Sequence, residues 1–334
     1  MAIARASSQQ AVRNREDNPC SRWYRKDIDV DDGSGDFAVQ RLKSAYFTPQ
    51  IRSDDFSLDA GDPVFTIGSC FARNIELALL DRGFEVRSAS RKLDALPVRD
   101  ASVTALGATN KYNTHSILNE LRWALEADQA YPEGCLVDIG EGTCLDPHAN
   151  PTLVPADRGE TLRRRALFTE VNRELRDCAL LVITLGLTEV WRDDEQQVFL
   201  NMTPTRAMLE RYPDRYSFHV LDYEENLRNL EAIADLLGVH GRSDLRVVVT
   251  VSPVPLNATH SGEDVVTANT LSKTTLRAVA GKWASLHDNV TYFPSYEIVM
   301  NSDRALAWAR DGRHVRRRMV DHVMEVFLRN FLAA

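Results

Sequence analysis

Metal- and phosphate-binding signatures are missing from this chain of 334 residues: it has no CxxC pair, no HExxH, no GxGxxG and no GxxxxGK[ST]. These absences argue against a zinc knuckle, a zincin helix and the glycine loops that cradle nucleotide phosphates, so no metal is expected. Cysteine is sparse and odd in number. Cys20, Cys70, Cys135, Cys144 and Cys178 suggest no disulfide framework. No apolar run approaches the length of a membrane span, and Met1 to Glu16 has no apolar core of the kind a secretory signal needs. A reducing cytoplasm is the expected location, with no membrane partner, and Cys70 would stay a free thiol there. Basic charge is also short: 40 Lys and Arg stand against 48 Asp and Glu, for a net charge of −8. That balance argues against a nucleic-acid partner. The clusters Arg163-Arg164-Arg165 and Arg316-Arg317-Arg318 are short and helix-embedded, and they read as solvated helix faces.

What is present is ordinary globular composition, 44% hydrophobic and 26% charged, enough for a full core. Residues 1–60 read as an irregular polar arm, with Asp31-Asp32-Gly33-Ser34-Gly35 inside it, that packs on the body through Trp23, Tyr24, Tyr46 and Phe47. Residues 61–334 read as one α/β domain. Strand-like runs appear at Val64–Ile67, Phe84–Val86, Ala179–Leu185, Leu245–Val251 and Val290–Phe293. Helical periodicity appears at Ile75–Leu80, Ser116–Leu125, Leu162–Leu175, Glu224–Leu237 and Ala268–Leu286, and in a last amphipathic helix through Val315, Met319, Val323, Phe327 and Phe331. Short Val/Leu-rich strands separated by helices predict a parallel sheet of about five strands covered on both faces. Two stretches break the alternation, at about 130–156 and 192–220. The first carries strand-like pieces at Leu136–Ile139 and Thr152–Val154, the second at Val198–Asn201 and Tyr216–Val220. Both are expected to follow elements ending on the carboxyl edge of the sheet and to shape a substrate pocket there.

The first strand breaks into Gly68-Ser69-Cys70-Phe71-Ala72, and a helix-like stretch from Arg73 follows at once. Strand, glycine turn, nucleophile and helix start form a common way of presenting a reactive side chain. The helix N-terminus favours an anion, so a lowered Cys70 pKa is expected. A cysteine packed under a βα turn is the competing reading. A nucleophile needs a base and the base an orienting group. Asp311-Gly312-Arg313-His314 offers both, because an Asp three residues before a His can hold one ring nitrogen and leave the other free. A capping Asp with an incidental His is the alternative there. Ser252-Pro253-Val254-Pro255 reads mainly as a strand terminator. Ser272 and Lys273, adjacent on a helix, point different ways and read as structural.

Several ordered blocks resemble one family. Gly68-Ser69-Cys70-Phe71-Ala72, Tyr112-Asn113-Thr114, Thr184 through Trp191, Thr250 through Pro255 and Tyr292 through Glu297 are similar to the GSCFA family, over most of the chain. That family resembles in turn the SGNH/GDSL hydrolases, a flavodoxin-like three-layer α/β/α fold of esterases and acyltransferases. The resemblance implies Cys70 as nucleophile with Ser69 in reserve, and His314 as proton shuttle oriented by Asp311. It implies an oxyanion hole from the Cys70 N–H with Asn113, the favoured member of 110–113, and Thr188. Gly186, Glu189, Trp191 and Ser252 are the candidate substrate-binding residues, with Glu189 and Trp191 reading equally as residues packed beneath the first insertion.

Two departures shape the expected chemistry. Cys in place of Ser suits thioester chemistry or acyl transfer, and Thr188 in place of an Asn weakens one oxyanion donor, commonly worth ~3 kcal/mol. The expected function is hydrolysis or transfer of an acyl group through a covalent intermediate on Cys70. A small-molecule or carbohydrate substrate is expected and no cofactor is required, with acyl-CoA or another acyl thioester as a possible donor. The alternatives are an acyl-CoA-dependent transferase in polysaccharide or natural-product assembly and a non-catalytic binding protein on a decayed hydrolase fold.

Overall fold

The computed structural model describes residues 6–332 except 32, 34, 52–56, 60 and 100–104. The expected arm therefore lies partly outside the described residues, as do Asp32 and Ser34 of its Asp-Gly-Ser run and the first residues of the Met1–Glu16 stretch.

The arm is less irregular than expected. It holds α1 (Ser8–Asp17), which buries no residue, and the short α2 (Ala38–Arg41). Trp23 and Tyr24 stay exposed, so the expectation that they pack on the body is corrected. Tyr46 and Phe47 do dock: Tyr46 stacks on His322, and the Phe47 N–H donates to Ser302 Oγ at 2.9 Å.

The body runs β1 (Val64–Gly68), α3 (Cys70–Leu80), α4 (Thr114–Leu125), β2 (Val137–Gly140), β3 (Thr143–Leu145), α5 (Arg158–Arg173) and β4 (Leu180–Leu185). It continues through β5 (Glu189–Asp193), β6 (Val198–Phe199), α6 (Arg206–Arg211), β7 (Tyr216–Val220) and α7 (Tyr223–His240). The last elements are β8 (Arg246–Val251), α8 (Val265–Leu286), β9 (Val290–Phe293), α9 (Ser295–Met300), α10 (Arg304–Ala307) and α11 (Arg317–Phe331).

A four-stranded sheet in the order β1-β4-β8-β9, parallel throughout, forms the middle layer. Successive side chains along a strand face opposite ways. Leu181, Ile183, Val247 and Val249 accordingly pack under α4, α7 and α8, whereas Val64, Val182 and Val248 pack under α3, α9 and α11. Both faces are covered, which gives three α/β/α layers and explains why the strands read as nearly continuous apolar runs.

The expected fifth strand at Phe84–Val86 is reduced to one parallel bridge, Val64↔Val86. The next ladder position is taken by a side chain: Ser88 Oγ accepts the Thr66 N–H at 3.0 Å and donates to the buried Glu76 carboxylate at 2.5 Å. A side-chain hydroxyl replaces the strand backbone and the chain turns away. With that bridge counted, the strand order is the 2-1-3-4-5 of flavodoxin-like sheets, whose switch point lies between β1 and β4.

The two breaks in the alternation pack on each other. A hairpin of β2 with β3 and an antiparallel sheet in the order β6-β5-β7 share a small core of Val137, Leu145, Leu200, Met208 and Tyr216. Of the strand-like pieces, Thr152–Val154 contributes only a bridge from Leu153 to Val98. The second break begins at the carboxyl edge, directly after β4. The first begins at the opposite edge, where Arg173 and Arg176 hold the Ala124 and Leu125 carbonyls at the end of α4. It reaches the carboxyl edge only through its second half, where the Asn201 N–H donates to the Pro147 carbonyl at 3.2 Å. The expectation for the first break is corrected accordingly.

A buried ionic network stands behind this region. Glu120 accepts from Lys111 Nζ at 2.7 Å, from Arg165 and from Asn172 at 3.1 Å, and Arg165 also reaches Asp146 at 3.2 Å. The solvated reading of the first arginine cluster is thus corrected: Arg163 is solvated, but Arg164 and Arg165 are buried and ion-paired. Arg316, Arg317 and Arg318 are exposed.

His148 is packed edge-on against Trp123 and Tyr131, and neither ring nitrogen has a partner. Burial pushes its pKa from 6.5 down to about 4, against the pull of Asp146 and Glu120. The unfolded chain binds this proton first, so stability is expected to fall as pH drops from about 6.5 toward 4, with no further loss from this group below that. Urea midpoints measured across that window should show the slope in the wild type and a shallower one in His148→Phe. Equal slopes would remove His148 as a cause.

Candidate active site

The carboxyl edge is assembled by close backbone approach. Gly68 has φ +137°, and a Cβ there would lie 2.2 Å from the Thr184 carbonyl oxygen. The Ser69 N–H donates to that carbonyl at 3.0 Å, and the Lys111 N–H donates to the Gly68 carbonyl at 2.7 Å. A Cβ on Gly186 would sit 2.5 Å from the Tyr112 carbonyl, which accepts the Leu187 N–H at 2.8 Å. Only glycine satisfies the first position, since an L side chain is both strained and blocked there. Gly68→Ala is expected to destabilise the chain by more than about 2 kcal/mol. A thermal melt would read this as a fall in Tm, and an unchanged Tm would show that the β1–β4 approach is looser than described.

These contacts fix Ser69 and Cys70 differently. Ser69 is the N-cap of α3 but its Oγ caps nothing: it is buried and has no hydrogen-bond partner. Cys70, the first residue of α3, is exposed. Its own backbone N–H and that of Phe71 act on its sulfur and favour the thiolate. They belong to the first turn of the helix, whose N–H groups have no intrahelical acceptor. The lowered pKa expected for Cys70 is nevertheless not found. Protein packed around the sulfur raises its pKa above 9.0, and this outweighs the opposing charges of Arg313 and Lys273 and the two N–H groups.

Three further side chains gather here. Lys273 on α8 is 1% exposed, and its Nζ donates to the Gly186 carbonyl at 2.6 Å. Burial lowers its pKa to about 7, with Cys70 pulling up and Arg313 pushing down. Tyr112 lies within electrostatic range of Cys70, and its hydroxyl meets the amides of Asn110 and Asn150. Burial raises its pKa, so it is a neutral donor. Arg313 completes the group. No salt bridge of Arg313 or Lys273 to a carboxylate occurs among the described residues.

A sequence model of the GSCFA family matches residues 63–327. The chain belongs to the GSCFA family. Comparison with curated proteins gives no match.

In this GSCFA chain the Asp311–His314 hydrogen bond forms, with Nδ1 of His314 2.6 Å from Oδ2 of Asp311. The other Asp311 oxygen accepts the N–H groups of Arg313 and His314, both at 3.0 Å. These bonds, led by the one from the His314 ring, hold the Asp311 carboxyl well below the usual carboxylate range. The ring is exposed and makes no hydrogen bond to Cys70; its Nε2 lies 3.4 Å from Arg313 Nη1. The assembled triad expected from the motif is therefore not present at rest. Arg313, next to His314 in the chain, is the residue of that segment whose charge reaches Cys70.

The expected oxyanion and substrate residues are distributed unevenly. Asn113 is committed elsewhere: it caps α4 by accepting the Ser116 N–H at 2.8 Å, and its amide donates to the Leu200 carbonyl at 2.9 Å. Asn110, three residues earlier, is the amide beside Tyr112, and its buried Oδ1 has no partner. Thr188 is buried, with its N–H donated to Ser272 Oγ at 2.9 Å. Glu189 holds the loop after β8, accepting from Thr259 Oγ1 at 2.5 Å and from the His260 N–H at 3.1 Å. Trp191 stands edge-on to Phe218 and His260. Ser252 is buried and caps its own turn by accepting the Val254 N–H. Gly186 is at the centre, between Tyr112 and Lys273.

The expectation that Ser272 and Lys273 point different ways is corrected: both are buried, and both bond the turn after β4, Ser272 Oγ accepting the Thr188 N–H and Lys273 Nζ donating to the Gly186 carbonyl. A signal was available, because Lys273, Leu276 and Ala280 recur at helical spacing on the buried stripe of α8.

Proposed function

We propose that this protein is a hydrolase or acyltransferase of SGNH type that carries its acyl group on Cys70. The observation that carries the reading is an exposed thiol at the start of α3, beside the switch point of the sheet, with Lys273 and Arg313 in electrostatic reach. A thiolate there attacks an ester or thioester carbonyl. A C–S bond forms, the bond to the leaving alkoxide or thiolate breaks, and the leaving group takes up a proton. Water, an alcohol or an amine then attacks the S-acyl group and releases the sulfur.

The N–H groups of Cys70 and Phe71 face the developing oxyanion in this reading, with the Asn110 amide and the Tyr112 hydroxyl as side-chain donors in place of Asn113. The Asp311–His314 pair serves the leaving group and the acceptor, with Asp311 fixing the tautomer. The substrate is a small molecule or carbohydrate, and an acyl thioester such as acyl-CoA is a suitable donor because a thiol exchanges readily with it. A non-catalytic binding protein is the second reading, favoured by the missing contact between Cys70 and His314.

Labelling with an electrophilic acyl probe separates the two readings. Labelling of the wild type at Cys70 that is lost in Cys70→Ala supports the enzyme, and no labelling of the wild type supports the binding protein. Adding alcohols or amines to the acyl donor then distinguishes transfer from hydrolysis, through the appearance of an acylated acceptor.

A further inference from the structure

We propose that the protein has a second binding site, apart from Cys70, for a small organic anion whose phosphate or carboxylate head is held by Arg277 and Arg41. The site is a cavity of about 700 Å³ between the N-terminal arm and the outer edge of the sheet. Pockets for small ligands span about 300–1,000 Å³, so a sugar-sized body fits behind such a head. The proposal does not depend on the reading of Cys70 as a nucleophile.

The body wall is built around one guanidinium. Arg277 on α8 lies over the ring of Tyr292 on β9, the last strand of the sheet, with its Cζ 3.8 Å from the ring centroid. Its Nε donates to Glu297 Oε1 at 2.5 Å, and the other Glu297 oxygen accepts the Tyr292 hydroxyl at 2.7 Å. The two Nη groups of Arg277 have no hydrogen-bond partner among the described residues. Gly281, one turn further along α8, makes room for them. An interior glycine weakens a helix relative to alanine, and a Cβ at this position would lie 2.7 Å from Arg277 Nη1. The helix is thus least regular in composition where the guanidinium has to lie flat.

The arm wall adds a second cation. Arg41 packs over the Phe47 ring, with its Cζ 5.4 Å from the centroid, and donates to the backbone carbonyls of Asp36 and Thr48. It forms no salt bridge among the described residues. Asn18 Oδ1 accepts the Cys20 N–H at 2.9 Å, which fixes the amide and leaves its NH2 as a donor. Three charged side chains line the cavity, Arg41, Arg277 and Glu297, and the single carboxylate among them is already bonded through both oxygens. The two guanidinium groups and the Asn18 amide therefore call for a ligand that brings acceptors and negative charge. A guanidinium fork matches phosphate and carboxylate in the same bidentate way.

Calorimetric titration tests this with glucose 6-phosphate, glucuronate and glucose as probes. At least one of the two anions should bind, the tighter one identifying the head group, and glucose should not. Binding of neither anion, or equal binding of glucose, overturns the proposal. Arg277→Met and Arg41→Met should each weaken the anion about tenfold, and Cys70→Ala should leave its affinity unchanged. Full affinity in Arg277→Met overturns the proposal. If that variant fails to fold, Gly281→Ala reads the same contact without removing a charge. It favours the helix, so Tm should hold or rise while the displaced guanidinium lowers affinity, and unchanged affinity there overturns the proposal too.

The place of binding is read on the thiols. Cys20 lines the cavity and Cys70 does not. During iodoacetamide alkylation, followed peptide by peptide with mass spectrometry, the bound anion should slow Cys20 several-fold and leave Cys70 unchanged. Protection of Cys70 with Cys20 unaffected would put the anion at the carboxyl edge and overturn the second site. Failed acyl labelling of Cys70 would reject the enzymatic reading and leave this site standing.

Discussion

Cys70→Ala is expected to reduce turnover of acyl esters and thioesters by roughly four orders of magnitude, whereas Ser69→Ala should change it only a few-fold. The two residues are neighbours in the chain but not in environment. Cys70 is exposed at the first turn of α3, while the Ser69 hydroxyl is buried without a partner beneath the turn. A nucleophile must reach the carbonyl, and of these two residues only Cys70 is exposed. On the proposed reading, removing the sulfur eliminates the covalent route, and the remaining N–H groups can only polarise a substrate. Removing the Ser69 hydroxyl deletes a polar atom that already lacks a hydrogen bond, which costs little. The measurement is kcat/KM on an acyl thioester series. Retention of activity in Cys70→Ala, or its loss in Ser69→Ala alone, would move the nucleophile by one residue or end the enzymatic reading. Cys70→Ser should fall between, because an alkoxide is far harder to form than a thiolate.

Glu120→Ala should destabilise the fold by about 4 kcal/mol. The carboxylate is 1% exposed and balances two buried cations, Lys111 and Arg165. Burial alone would push its pKa up, but those two charges and their hydrogen bonds hold it below 4.5. A depressed carboxylate contributes stability that is present above its unfolded pKa and lost as pH falls through the folded value. Deleting it leaves an ammonium and a guanidinium buried without their shared anion. The urea midpoint should fall with an unchanged m-value. A loss under about 1 kcal/mol would mean that water reaches the network. The effect extends to the site, because the Lys111 backbone holds the Gly68 carbonyl and Tyr112 follows it directly.

Much of this arrangement was legible because burial on both faces leaves a simple mark. Runs such as Leu180-Leu181-Val182-Ile183 and Val247-Val248-Val249 announce parallel strands, and the stripes of α7, α8 and α11 announce helices covering them. Phe84–Val86 carried the same mark and failed, since the Ser88 side chain took the ladder position that a strand backbone would have filled. Asn113 matched a block and proved to be a helix cap, because capping and oxyanion binding call for the same amide at a helix start.

The sequence by itself determined the layers, the glycine turn before Cys70, and the local Asp311–His314 hydrogen bond, all of which depend on residues close together in the chain. Only the tertiary structure decided what surrounds the sulfur. Cys70, Tyr112, Lys273 and Arg313 come from four separate segments. Desolvation by the protein they bring together, which no single segment reveals, turned the expected low thiol pKa upward, although Cys70 keeps an exposed face, and brought the buried Lys273 down to about 7. Desolvation depends on everything packed around a group, so it becomes readable only once the chain has closed on itself.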